Sequence, residues 1–307
     1  MDIAQNKQTN GEKKHMYKIV AVDLDGTMLN SYGIVTENTK ETITKTIQSG
    51  TDVIIASGRP IDSVKIIANE IGSKNFFIAQ NGAFIYDIQK EKTIYEKYMN
   101  KAKTLQIIKL CEENSISYSI YTEKTIIAKS LSHNVLYYYK ENLKKEENKK
   151  IKITIVDDVY EYVRKSENEK YFKITVCDED KMIFNSIIRK LRKIDGIDVL
   201  DVSHMSRKLI KQGTEYIEIA YYYTEISLKD VDKWTALQYL MEKLNIKKEE
   251  VIAIGDNLND KKMIENAGLG IVMEGSTPTV TSVADFITKT NNEDGVAYAL
   301  NIKCLNT

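Results

Sequence analysis

The chain has 307 residues, and its 44 lysines and arginines balance 44 aspartates and glutamates, so the formal net charge is zero. That balance argues against nucleic acid or an anionic membrane surface as a partner. No apolar run approaches the ~20 residues that a membrane span needs. Cys111, Cys177 and Cys304 form neither a C-x-x-C pair nor an even set, and His15, His133 and His204 are widely separated. Neither a disulfide framework nor a zinc site is indicated, and the expectation is a reduced, cytoplasmic protein.

Residues 1–15 are polar, lack the apolar centre of a secretory signal, and read as a disordered extension. Next comes IVAVDLDG, a Val/Ile run of the kind buried on both faces in a parallel sheet. TENTKETITKTIQSG follows with helical spacing and stops at Gly50. DVIIASGR is a second buried run, and PIDSVKIIANEIG a second helix with Pro60 at its start and Gly72 at its end. This repetition predicts a doubly wound α/β core.

From about residue 84 to 223 the pattern changes. FIYD, IYEKY, SYSIYTE, TIIAKS, IKITIV, YFKITVC and YIEIAYYY include many alternating stretches, with helical segments such as KMIFNSIIRKLRKI between them. Alternation suits half-exposed antiparallel strands, so this stretch is expected to be an inserted α+β module. The charged run at 140–150 reads as a solvated helix end or loop. The core then resumes with VDKWTALQYLMEKLNI as a helix, VIAIGDNLND as a strand and loop, KKMIENAG as a short helix, and GIVM and DFIT as strands. The predicted division is a core of 16–84 and 225–307 interrupted by an insert of 85–224.

Three polar clusters fall at the carboxyl ends of predicted core strands, where parallel sheets bind ligands: Asp23/Asp25/Gly26/Thr27, Ser57/Gly58/Arg59 and Asp256/Asn259/Asp260. Two aspartates one residue apart at the end of a buried run repel each other unless a cation lies between them. An acidic pocket of this kind suits a hard, oxygen-seeking cation such as Mg2+. Taken singly, each cluster could be an ordinary turn or helix cap. Their joint placement favours a site.

The ordered set Asp-Leu-Asp-Gly-Thr, Ser-Gly-Arg-Pro, a lysine opening a helix (Asp232-Lys233-Trp234-Thr235) and Gly-Asp-Asn-Leu-Asn-Asp resembles the four motifs of the haloacid dehalogenase superfamily. The single large insertion between the second and third motifs is similar to that of the Cof-type branch (class IIB, with a C2-type cap). So are Asn81-Gly82-Ala83 and Asn292-Glu293-Asp294-Gly295. The resemblance implies an Mg2+-dependent phosphatase acting on small phosphorylated metabolites, as a monomer or weak dimer. It implies Asp23 as nucleophile and Asp25 as acid and base. Mg2+ would be held by the Asp23 side chain, the Asp25 backbone carbonyl and Asp256. Ser57 and Lys233 would hold phosphoryl oxygens, with Gly58, Arg59, Asn81 and Asn259 beside the substrate and Thr27 and Asp260 in support. A phosphomutase and a catalytically silent metabolite-binding protein are the alternatives; all the catalytic groups are present, which weighs against the second. Trp234 stands where this branch usually has glycine, and is expected to narrow the pocket or pack on the core. Tyr221, Tyr222, Tyr223 and His204 are expected to be strand and surface residues, with lining of the substrate cavity as the lesser alternative.

Overall fold

The computed structural model describes residues 17–143, 146–147, 150–200, 206–212 and 215–305. The extension expected at 1–15, and with it His15, lies outside them, as does His204. The chain begins with β1 (Ile19–Val22), α1 (Glu37–Gln48), β2 (Asp52–Ala56), α2 (Ile61–Glu70), β3 (Phe76–Ala79), β4 (Phe84–Asp87) and β5 (Lys92–Glu96). The middle holds α3 (Lys101–Glu113), β6 (Ser117–Thr122), β7 (Ile126–Ala128), α4 (His133–Asn142), β8 (Ile153–Ile155) and α5 (Val159–Lys165). It continues through β9 (Tyr171–Asp178), α6 (Lys181–Leu191), β10 (Ile197–Val199), β11 (Ser206–Gln212) and β12 (Glu215–Leu228). The last part is α7 (Lys233–Leu244), β13 (Val251–Gly255), α8 (Lys261–Asn266), β14 (Leu269–Met273), α9 (Pro278–Thr281), β15 (Phe286–Thr288) and α10 (Gly295–Leu300).

The first sheet runs β15-β14-β13-β1-β2-β3-β4-β5. It is parallel from β15 to β3, and β4 and β5 are then added antiparallel. Its strands are apolar on both faces because helices cover both. Val20, Val22, Val53 and Ile55 pack toward Ile43 of α1, Ile67 of α2 and Leu300 of α10. Ile19, Ala21, Ile54 and Ala56 pack toward Trp234, Leu237 and Leu240 of α7 and Met263 of α8. The doubly wound α/β core expected from the sequence is present. Strand order reverses at β1, which pairs with β2 on one side and β13 on the other. The carboxyl ends of β1, β2 and β13 therefore meet at a crevice suited to a ligand.

The second sheet runs β10-β12-β9-β6-β7-β8, with β11 hairpinned onto β12. One of its faces carries Ile120, Ile174, Val176 and Ile226 against Ile107, Val163 and Ile187 of α3, α5 and α6. Two features differ from the sequence reading of the boundaries. FIYD and the following strand belong to the first sheet, and β12 runs unbroken to Leu228. Alternation identifies a half-covered strand but not the sheet it joins. Lys97 still donates its amide to Ala83, whereas Met99 donates to Tyr171 of the second sheet. Lys229 donates to Gly196, whereas Val231 packs on the first core. We therefore place the crossings between core and insert at Tyr98 and at Asp230.

Candidate active site

Asp23 directly follows β1, and its amide donates to Ile254 O of β13 (3.0 Å), which aims the residue into the crevice. It is 5% exposed. Lys233 is wholly buried and donates to Asp23 Oδ1 at 2.5 Å and to Asp260 Oδ1 at 2.6 Å. Lys233 takes this place because it opens α7. Asp232 caps that helix through a capping box with Thr235, and Lys262 binds the outer oxygen of Asp232. The turn at Asn81–Gly82 is pressed against the same point. A Cβ on Gly82 (φ +95°) would lie 1.9 Å from Asp232 O, so only glycine fits.

Asp260 Oδ2 accepts the amides of Asp256 and Asn257, both at 3.1 Å. With Oδ1 on Lys233, its two oxygens are engaged in fixing the loop and the lysine. Asp256 accepts from the Thr27 hydroxyl at 3.1 Å. Its carboxylate occupies the space of a missing side chain, since a Cβ on Gly26 would fall 2.4 Å from Asp256 Oδ2.

Carboxylate oxygens of Asp23, Asp256 and Asp260 all lie within 4.8 Å of one another. Burial raises the Asp23 pKa well above the usual carboxylate value; Asp260 adds to the rise and Lys233 opposes it. Burial and then Asp260 push Asp256 up to about 7. Burial alone would lower the Lys233 pKa, but Asp23 and Asp260 more than reverse it. One lysine thus does not neutralise the cluster, and an all-oxygen donor set with excess negative charge fits a hard divalent cation. Asp23 and Asp256 are the fitting side-chain donors. The expected third contributor, Asp25, directs its side chain elsewhere: Arg59 grips it through Nε at 2.8 Å and Nη2 at 2.6 Å. Any contribution by Asp25 to a metal is therefore through its backbone carbonyl.

The remaining expected residues gather around the same point. Ser57, wholly buried at the end of β2, accepts the Arg59 amide at 3.2 Å. Gly58 leaves room for Asn81, whose Oδ1 would sit 2.7 Å from a Cβ there. Asn81 has left-handed backbone (φ 54°) and accepts from Asn259 Nδ2 at 3.0 Å. A cavity of about 140 Å³ opens above Asp23 and Asp25, bordered by Gly58, Arg59 and Asn259.

Its far wall includes Tyr223 together with three residues that the sequence did not single out, Tyr138, Lys173 and Glu225. Tyr223 takes the lesser of its two expected places and borders the cavity. Tyr222, one residue away, stacks instead on Phe184 with ring centroids 5.8 Å apart, and Tyr221 is buried. Trp234 is 9% exposed within the core beneath β1 and β2, which selects the packing alternative. The one available signal for Lys173 and Glu225 was a charge interrupting a strand-like run, in YFKITVC and YYYTEISL.

The family model of the haloacid dehalogenase-like hydrolases matches residues 20–300. A Bacillus subtilis protein named phosphatase YwpJ is 27% identical over 291 residues, covering 92% of this chain and 98% of its own. The crystal structure of a haloacid dehalogenase-like hydrolase from Bacteroides thetaiotaomicron is 26% identical and superposes with a TM-score of 0.72, covering 93% of this chain and 99% of that one. A haloacid dehalogenase-like hydrolase from B. subtilis superposes with a TM-score of 0.77 at 24% identity, over 92% of this chain and 99% of the other, a likeness of fold.

Proposed function

This chain belongs to the haloacid dehalogenase-like hydrolases, and from that premise we propose that it is a Mg2+-dependent phosphatase of small phosphorylated metabolites. The observation that carries the reading is the grouping of a buried aspartate, a buried lysine and a second aspartate beneath a cavity at the strand-order reversal. In this reading Asp23 attacks phosphorus and the P–O bond to the alcohol breaks, leaving an aspartyl-phosphate. Asp25 protonates the departing alkoxide, then takes a proton from the water that attacks the same phosphorus and releases phosphate and Asp23. Mg2+, when bound, neutralises charge on the phosphoryl oxygens and on Asp23. Lys233 offsets carboxylate repulsion and holds a phosphoryl oxygen, and Ser57 and the Gly58 amide hold others. Arg59 fixes Asp25 until the substrate's leaving oxygen competes for it. No helix among the described residues is long and apolar enough to cross a membrane.

The experiment is phosphate release from a panel of phosphate monoesters with and without Mg2+. Release that requires the metal is expected, and silence across the panel from folded, Mg2+-loaded protein overturns the proposal.

Stability carries a second expectation. The folded-state pKa of Asp256, about 7, lies above its ordinary value of 3.8. The folded metal-free protein then binds a proton that the unfolded chain has lost, and stability falls as pH rises through this window. Mg2+ competes with that proton. At one fixed Mg2+ concentration the rise in Tm is expected to be larger at pH 8 than at pH 5.5, and a hundredfold excess over the Kd at pH 8 corresponds to about 2.7 kcal/mol of stabilisation. Scanning calorimetry at both pH values checks this, and a shift that does not depend on pH contradicts it.

A further inference from the structure

Lys173 is a lysine in the middle of a strand, 3% exposed, and its environment follows from sheet register. On β9 it is paired with Tyr121 of β6 and with Ser227 of β12. Glu225, two residues before Ser227, is its diagonal neighbour on the same face, a position within reach of long side chains. Lys173 Nζ donates to Glu225 Oε1 at 2.6 Å and lies 4.6 Å from the Tyr121 ring centroid. A further hydrogen bond leaves the insert altogether: Nζ donates to Gly58 O at 3.2 Å, in the loop that follows β2.

That loop, Ser57 to Arg59, is otherwise held from within the core. The Ser57 amide donates to Ile78 O at 3.0 Å, Ser57 O accepts from the Asn81 amide at 3.0 Å, and Arg59 O accepts from the Gln80 amide at 3.1 Å. Of the three loop carbonyls, only that of Gly58 is held by the insert. The Gly58 carbonyl and the Arg59 N–H belong to one planar peptide. Its N–H end donates to Ser57 Oγ at 3.2 Å and its C=O end accepts from Lys173, so the plane is gripped at both ends. Released at one end it is free to turn, because Gly58 has no side chain to resist the rotation. Turning it takes away the donor to the Ser57 hydroxyl and shifts Arg59, whose guanidinium grips Asp25. Glu225 adds a contact on the other side of Gly58. Its second oxygen accepts from Asn81 Nδ2, while Asn81 Oδ1 packs into the space a Gly58 side chain would fill and accepts from Asn259.

On the reading of the site as a phosphatase, we propose that Lys173 is a positioning residue: through the Gly58 carbonyl it sets the Gly58–Arg59 peptide, and with it the loop that holds the phosphoryl group. Glu225 keeps the ammonium aimed and steadies Asn81 against Gly58. The insert thereby completes the phosphoryl end of the site. Its contribution is the same for every monoester, because the group it acts on is the one they share. A residue touching the leaving group would instead act differently on each ester. One touching only the phosphoryl oxygens would leave the loop unchanged when no substrate is bound.

The test uses the full chain with Lys173→Met, alone and combined with Glu225→Gln. The single variant strands a carboxylate and should lose Tm. The double variant removes both charges, keeps an acceptor for Asn81, and should regain Tm. Two quantities are measured in wild type and both variants: hydrogen exchange of the Arg59 amide without substrate, by NMR, and kcat/KM for phenyl phosphate and glucose 6-phosphate with Mg2+. In both variants the Arg59 amide is expected to exchange about tenfold faster and kcat/KM to fall about tenfold on each ester, the size of one hydrogen bond from a charged donor. Activity that returns with Tm in the double variant overturns the assignment, because the pair is then structural alone. So do Arg59 exchange within about twofold of wild type and losses that differ between the esters by more than about threefold. A wild type silent on both esters and on the wider Mg2+-loaded panel, with Arg59 exchange responding as expected, instead overturns the phosphatase reading beneath it.

Discussion

Asp23→Asn is expected to reduce phosphate release on the order of 10⁴-fold, the scale on which enzymes lose a covalent nucleophile. It should do so without loss of Tm. The amide has the shape of the carboxylate and can still accept from Lys233, which also keeps Asp260. The ionised form of Asp23 is disfavoured in the fold by burial and by the neighbouring Asp260. A neutral isostere removes that penalty, so Tm should be equal or higher at pH 8. Activity and stability are thus expected to part company at this residue. Steady-state release measured beside a melting curve decides it, and turnover within tenfold of wild type removes Asp23 from the role of nucleophile.

Lys233→Met should have the opposite stability signature. Methionine fills much of the volume and suits a helix, but it leaves three carboxylates within 4.8 Å of one another around a vanished cation. Breaking a buried ion pair by removing one partner costs roughly 3–5 kcal/mol, which lowers Tm on the order of 10 °C in a chain of this size. Activity should be lost as well. Mg2+ should recover part of the Tm, because it supplies the missing positive charge. Asp260→Asn in the Lys233→Met background should recover a further part by removing a stranded carboxylate, a non-additivity that a double-mutant cycle reads directly. A Lys233→Met protein that melts within 2–3 °C of wild type, well short of that order, contradicts the charge argument.

Much of this site was legible because its parts are local. Asp23, Ser57 and Asp256 each follow a buried strand, and parallel topology carries the ends of such strands to one crevice. Lys233 was legible only through its motif, since a lysine at a helix start is ordinarily solvated. Most of the far wall was not legible, because no local feature of YFKITVC says which partner strand lies beside Lys173. The diagonal to Glu225 exists only once the register of β9 and β12 is set. Arg59 shows the same limit: proximity in sequence put it near the site, but its two-point grip on Asp25 depends on the geometry of two loops. The pairing of β4 with β3 was hidden for a simpler reason. A strand's alternation records how it is covered, not where the chain turns.

The second crossing between the two modules ends one residue before the lysine that governs the nucleophile's charge. Asp232 is held there by its capping box with Thr235, by Lys262, and by the close backbone contact with Gly82. In mechanical terms Asp232 is a bulkhead. The chain crosses between the modules at Tyr98 and around Asp230, and the three contacts of Asp232 lie between that second crossing and α7. Three anchors thus stand between the insert and α7, so the distance from Lys233 to Asp23 is set by contacts within the core.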